Sequence, residues 1–443
     1  MDESDDEWTT PGQPGPHADR ETQAARPLPF SREPISSRPR LPLIRLAGLD
    51  TDSESPDFRI VREIGKGGTA TVYEATETSV GRRVAVKVPR HDVDAAWVNE
   101  RILRDAKVAR IAEHPNVVPV YRVGRDQKGR VILVMKLVEG EPWSTALARP
   151  QQRPIDGKIR TLLAVCRALE FAHSRGLLHL DINPSNILLG SFGEVYVSDW
   201  GIARAIVDLP GIPPANPNSD IEGTPAYMPP EMAVPGQHSL SKQTDVYLLG
   251  VTLFEVLAGK RPRSPRTVDE LRLHALDTEP LRLAESIPEE LQNLVRESTD
   301  VVPSARPKSV TEFRHRLEDF LRNSASRAIL VGASDRLAQL KIRISSGALT
   351  TCPELAREVQ LGAQLALQKW PENRSAKRVA AELGQVMLEF ELSRGSIVDI
   401  KPRRPTRTRA CTLQRRQSAM VRHEHLALRV SRVHVCDLLV CEH

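Results

Sequence analysis

No part of this 443-residue chain comes near the ~20 consecutive apolar residues that a membrane-spanning helix needs. Cysteine is scarce: five residues in no even or regular framework, which excludes a disulfide scaffold and favours a reduced, intracellular setting. A secretory leader is missing too. The chain opens Met1-Asp2-Glu3-Ser4-Asp5-Asp6-Glu7, acidic where a leader is basic and then apolar, so the expected location is cytoplasmic. Basic charge is lacking outside the C-terminus. Residues 401–443 hold 10 Lys/Arg and 3 Asp/Glu, a net of +7, whereas the whole chain is +5 and the other 400 residues sum to −2. A uniformly basic face for nucleic acid is therefore excluded, and no nucleic-acid partner is expected. What is present is 40% hydrophobic and 27% charged residues, an ordinary globular balance with room for two or three domains.

Residues 1–57 carry nine prolines and a net charge of −6 with scattered apolar residues, and read as a disordered acidic arm. From Phe58 the pattern turns to strands: 58–64, then a glycine-rich turn, 71–75, 83–88 and 131–135. A helix is expected over 95–112. Beyond Gly140 the periodicity is mostly helical, over 155–175, 242–259, 267–276, 288–298 and 309–322. Strand-rich then helix-rich sequence predicts an α+β fold in two lobes, about 58–138 and 139–323. Residues 324–395 read as a helical region. It contains two helices, 353–370 and 374–394, broken at Pro371-Glu372-Asn373, with spacing that faintly matches one tetratricopeptide unit. One such unit cannot bury its own face, so it packs on the preceding domain or on a protein partner; a plain helical extension is the simpler reading. Residues 396–443 read as a basic, disordered tail, or as an out-of-frame C-terminus. Its His434, Cys436, Cys441 and His443 match no structural zinc spacing well.

The chemistry is carried by motifs in a fixed order. Gly65-Lys66-Gly67-Gly68-Thr69-Ala70-Thr71-Val72 lies between two strands, where glycines bring backbone N–H groups against phosphate oxygens. Val84-Ala85-Val86-Lys87 follows, with a strand lysine able to hold phosphates. Then come His179-Leu180-Asp181-Ile182-Asn183-Pro184-Ser185-Asn186, Asp199-Trp200-Gly201, Gly223-Thr224-Pro225 running on to Glu231, Asp245 to Gly250, and Ala305-Arg306-Pro307. Over about residues 58–323 this series resembles the eukaryotic-type (Hanks-type) serine/threonine protein kinases, most closely their bacterial branch.

That resemblance implies a two-lobed protein kinase fold. It implies ATP- and Mg²⁺-dependent transfer of the γ-phosphoryl group to Ser/Thr hydroxyls of protein substrates in signalling. Asp181 becomes the base, with Thr224 beside it, and Lys87 the ATP anchor. Asn186 and Asp199 become the metal ligands. The nucleotide site becomes Ile64, the loop Gly65–Val72, Ala85, the gatekeeper Met135, and the backbone of Lys136 to Val138. Glu231 with Arg306 becomes a buried ion pair, and Asp245 a brace for the catalytic loop.

Five positions depart from the family pattern. Ala70 replaces the third loop glycine, and Trp200 an aromatic phenylalanine that packs in an internal stack. Leu180 replaces the arginine that receives an activation-segment phosphate, and Ser219 is the only hydroxyl between Asp199 and Thr224. Activity is therefore expected to be independent of phosphorylation there. Asn183 replaces a lysine that contacts the γ-phosphate, a loss on the order of 2–4 kcal/mol. The partner of Lys87 falls at Asp105, one methylene shorter than the family glutamate, with Glu100 as the rival. These departures keep open an alternative: a weakly active or dead pseudokinase acting as an ATP-binding scaffold.

Overall fold

A computed structural model describes residues 41–393 apart from 50–54, 150–153, 217–221, 235, 237, 264, 266, 268, 271 and 274–278. The tail from 396 onward and the arm up to residue 40 lie outside these residues, as do Ser219 and much of the helix expected over 267–276.

The small lobe is a six-stranded sheet. Its strands are β1 (Leu46–Ala47), β2 (Phe58–Lys66), β3 (Ala70–Glu77), β4 (Arg83–Pro89), β5 (Val120–Arg125) and β6 (Val131–Lys136), in the order β1-β2-β3-β4-β6-β5. All neighbours are antiparallel except β1 and β2. Helix α1 (Ala95–Ile111) crosses behind β4 and is N-capped by Asp94, whose side chain accepts from Trp97 N at 2.8 Å. The period-two alternation of β4 sets the layout. Val84, Val86 and Val88 point into an apolar interior with Phe58, Ala75, Ile132 and Val134, leaving Ala85 and Lys87 on the opposite face.

Residues 42–49 precede the boundary expected at 57. They form a strap that seals this interior. Ile44 and Leu46 are fully or almost fully buried in it. β1 pairs with β2 at one border of the sheet, and Ile44 N donates to Arg125 O while Arg125 N donates to Pro42 O at the other. The strap reaches β5 because residue 124 is glycine: a Cβ there would lie 2.5 Å from Pro42 O and 2.6 Å from Ile44 Cγ1.

A connection through β7 (Gly140–Pro142) and α2 (Trp143–Leu147) leads into the large lobe. Helix α3 (Ile155–Ser174) precedes the catalytic segment, which is framed by β8 (Leu177–Leu178), β9 (Ile187–Gly190), β10 (Val195–Val197) and β11 (Arg204–Ala205). β7, β9 and β10 form one small sheet, and β8 pairs with β11. After the short α4 (Pro230–Ala233), helix α5 (Lys242–Ala258) runs through the centre of the lobe. It is buried from Thr244 to Leu257, as expected for a helix apolar on nearly every face. Thr244 Oγ1 accepts from Ser241 N at 3.0 Å at its start, and Gly259 closes its end at φ +71°. α6 (Glu289–Ser298) and α7 (Val310–Arg322) pack on it.

Three further helices follow: α8 (Ser324–Ser345), α9 (Cys352–Lys369) and α10 (Arg374–Ser393). α8 falls in the region read as helical, where only the other two helices were given bounds, and it supplies the neighbour that those two need. Leu330, Ala333, Leu337 and Leu340 of α8 bury against Val359, Ala363, Ala366, Val379 and Phe390 in a core of their own. Small residues allow the close approach, since a Cβ on Gly362 would sit 2.8 Å from Ala333 Cβ. Ser326 Oγ donates to Ala366 O and accepts from Asn373 Nδ2, fixing the bend between α9 and α10.

Candidate active site

The register of three strands gathers the nucleotide-side residues. Gly65 lies opposite Val72, and Val72 opposite Lys87. Ala85, two residues from Lys87 and therefore on its face, lies opposite Met135. The glycine-rich turn closes through Gly67 N donating to Ala70 O at 2.9 Å. Thr71 and Ala70 are buried at its exit, while Lys66, Gly67 and Gly68 are exposed, Gly65 is half-buried and Ile64 is exposed. Lys136 N donates to Pro119 O, and residues to Val138 continue into the large lobe. The expected nucleotide residues thus share one face and one border of the cleft.

Lys87 Nζ sits 2.9 Å from Asp105 Oδ2 and 2.9 Å from Asp199 Oδ1. Asp105, not Glu100, is its partner; Glu100 is 68% exposed and lies 3.5 Å from Arg104. The shorter acid suffices because α1 stands close, and Asp105 Oδ1 also accepts from Trp200 N at 3.2 Å. Burial pushes the Lys87 ammonium towards neutrality, but the two carboxylates outweigh it and raise its pKa. In return, the Lys87 charge holds Asp199 below the usual carboxylate range against its own desolvation.

Asp181 is gripped from three sides. Its Oδ1 accepts from Thr224 N at 3.0 Å and from Thr224 Oγ1 at 2.7 Å, and its Oδ2 from Asn186 Nδ2 at 2.9 Å. Asn183, 2% exposed, links the same groups. Its Nδ2 lies 3.2 Å from Asp181 Oδ1 and 3.3 Å from Thr224 Oγ1, and its Oδ1 caps the turn at Ser185 N. An uncharged amide thus fills the place of the expected lysine.

The backbone under this cluster is strained. Among the described residues, only two non-glycines have positive φ: Leu180 at 68° and Asp199 at 63°. Each is over-determined by its surroundings. Asp245, fully buried, accepts from Leu180 N at 2.9 Å, His179 N at 3.0 Å and His173 Nε2 at 2.7 Å. Burial raises its pKa, yet His173, the charge of His179 and the His179 backbone N–H prevail and leave it lowered. Trp200 packs against the His179 ring, with centroids 4.3 Å apart and the planes tilted by 55°, and His179 Nε2 lies 3.2 Å from Ser198 O. Below, Arg306 meets Glu231 through two bonds of 2.6 and 3.0 Å, with both side chains at 0% exposure.

A protein kinase domain model matches residues 58–317. This chain belongs to the protein kinase family. Its kinase domain is 33% identical over 258 residues to the serine/threonine-protein kinase PknA of Mycobacterium tuberculosis, across 57% of this chain and 58% of that protein. It is 33% identical over 307 residues to PknD of Chlamydia pneumoniae and 29% over 299 residues to PknD of Protochlamydia amoebophila, both serine/threonine-protein kinases. In each case 60% of this chain is covered, against 31% and 30% of the relative. The chain therefore spans under two thirds of the length of these relatives. The bacterial serine/threonine branch implied by the motifs is the one matched. No helix among the described residues is long and apolar enough to cross a membrane.

Three parts of the kinase site had no counterpart in the sequence reading. His173 as partner of Asp245 carries no motif of its own. The strap shows only as a brief apolar run, Leu41-Pro42-Leu43-Ile44, in a proline-rich arm. The third is a buried arginine pair against the activation segment, described below.

Proposed function

We propose that the chain is a protein kinase that transfers the γ-phosphoryl group of ATP to Ser/Thr hydroxyls of protein substrates. The observation that carries this reading is the coexistence of two complete clusters. Lys87 bonds Asp105 and Asp199 on one side of the cleft, and Asp181 bonds Thr224, Asn183 and Asn186 on the other.

The donor set suits Mg²⁺. Asn186 directs its amide N–H groups at Asp181, which leaves its carbonyl oxygen for a cation. Asp199 keeps Oδ2 unbonded among the described residues, and its side chain is 42% exposed to the cleft. These two residues would hold the metal, which when bound neutralises phosphate charge. Lys87 holds the phosphate chain of ATP. Asp181 orients the acceptor hydroxyl and takes its proton as the new O–P bond forms. The bond to the β-phosphate oxygen breaks, and ADP leaves with that oxygen. Thr224 keeps Asp181 Oδ1 aimed, the arrangement implied for serine and threonine acceptors.

The scaffold alternative rests on Leu180, Asn183 and Asp105. Asp105 reaches Lys87 and Asn183 bonds Asp181, so two of the three departures have a partner that serves the site, and the Leu180 side chain is buried. The test is transfer of radiolabel from ATP to a general acceptor protein by the full chain, with Asp181→Asn as control. Label from the wild type and not from the variant supports the reading. A folded, nucleotide-binding chain with no transfer overturns it.

A further inference from the structure

The arginine missing at position 180 leaves the activation segment without its expected charged anchor, yet the segment is anchored. Glu222 lies two residues before Thr224. Its Oε2 accepts from Arg204 Nη2 at 2.6 Å and stands 3.6 Å from Arg104 Nη1. The three side chains are 12%, 10% and 7% exposed, respectively. Arg104 adjoins Asp105 on α1. Arg204 lies on β11, opposite Leu178, one residue before His179. One carboxylate therefore joins α1, the strand beside the catalytic loop and the segment that delivers Thr224 to Asp181.

The charge balance gives this cluster its force. Among the described residues, two buried guanidiniums face one largely buried carboxylate, and the other acid in reach, Glu100, is mostly exposed. Arg104 Nε and Nη1 and Arg204 Nη1 have no hydrogen-bond partner among the described residues. Desolvation, then the Arg204 charge, lowers the pKa of Arg104. Buried cations without a counter-charge are costly, so Glu222 is the anion on which the described cluster depends.

We propose that Arg104, Arg204 and Glu222 form a permanent carboxylate latch that holds α1 inward, so that Asp105 meets Lys87 without phosphorylation of the activation segment. Glu222, Arg104 and Arg204 are positioning residues. A carboxylate with two arginine partners does here what a phosphoryl group does where the arginine before the catalytic aspartate is kept. The latch also accounts for the shorter acid at 105, which works only if the helix stays close. Lys107 Nζ, donating to Gly211 O at 3.2 Å, adds a second tie from α1. The role in catalysis rests on the kinase reading above; the mechanical role does not.

Two readouts on the full chain separate them. In Glu222→Ala, hydrogen exchange of the α1 amides should accelerate at least tenfold, and phosphoryl transfer should fall at least tenfold in kcat. Added acetate, which fits the space left by the side chain, should restore both. Glu222→Gln, which keeps the shape without the charge, should fall between, and it replaces the alanine variant if that does not fold. Ser219→Ala and phosphatase treatment should leave wild-type transfer within twofold. Unchanged α1 exchange in both Glu222 variants overturns the latch, whether or not the chain is active. Loss that acetate fails to restore also overturns it, because the deficit is then not one of charge. A wild type that transfers no phosphate, but whose α1 exchange responds to Glu222→Ala and acetate, keeps the latch and overturns the kinase reading.

Discussion

Asp105 Oδ2 accepts a hydrogen bond from Lys87 Nζ at 2.9 Å, with the two side chains only 8% and 13% exposed. A buried lysine kept charged by a carboxylate loses its position when that carboxylate goes. Asp105→Ala is expected to lower transfer about 100-fold, equivalent to about 2.7 kcal/mol. Glu100→Gln should stay within about twofold, because exposed helix pairs contribute only about 0.3–0.5 kcal/mol. Initial rates for both variants at saturating ATP check this.

Asn183 should matter twice. Its Oδ1 caps the turn at 184–186, and its Nδ2 bridges Asp181 and Thr224. Asn183→Ala is expected to cost about 1 kcal/mol of stability through the cap and to lower kcat about tenfold through the misdirected base. Urea denaturation and steady-state kinetics read the two effects separately.

Glu231 and Arg306 form a fully buried pair in the large lobe. Arg306→Leu leaves the carboxylate uncompensated and should destabilise by about 3–5 kcal/mol. The urea midpoint of the variant checks this.

Asp245 links stability to pH. Its pKa in the folded chain lies below the ordinary 3.8, because His173, the charge of His179 and the His179 backbone N–H outweigh the burial that opposes its charge. The unfolded chain therefore binds the proton more readily. The contribution is complete above the unfolded value and is lost as pH falls through the lowered folded one. Melting temperature should drop steeply below about pH 4. In Asp245→Asn the drop should be shallower, from a lower plateau, as differential scanning calorimetry would record.

The strap should stabilise the small lobe. Ile44→Ala is expected to cost about 2–5 kcal/mol. Gly124→Ala should lift the strap, since the added methyl would lie 2.5 Å from Pro42 O. A chain starting at Phe58 should melt lower than one starting before Leu41. Thermal denaturation of each against the full chain decides.

The catalytic cluster was legible in the sequence because its chemistry fixes both residue type and order. The structure brings Lys87 to Asp199, and Asp181 to Asn186 and Thr224, residues that the motifs had already picked out, and Lys87 meets Asp105. The strap was not legible. Its pairing with β2 and β5 is non-local, and Pro42-Leu43-Ile44-Arg45-Leu46 is too short for a period against its proline-rich surroundings. α8 did carry apolar residues at helical spacing, Leu330, Ala333, Leu337 and Leu340, but its charged face runs on from α7 without a breaker. The latch is unreadable in principle. Arg104, Arg204 and Glu222 look like solvated charges until the fold brings three distant segments together.

The strap has one more consequence, for motion. A sheet with loose borders can fan open strand by strand. Here the strap over residues 42–47 fastens both outer strands, β2 and β5, so the sheet of the small lobe is closed into a hoop. A border closed in this way resists bending within the sheet, so bending is favoured outside it, in the connection that follows Lys136.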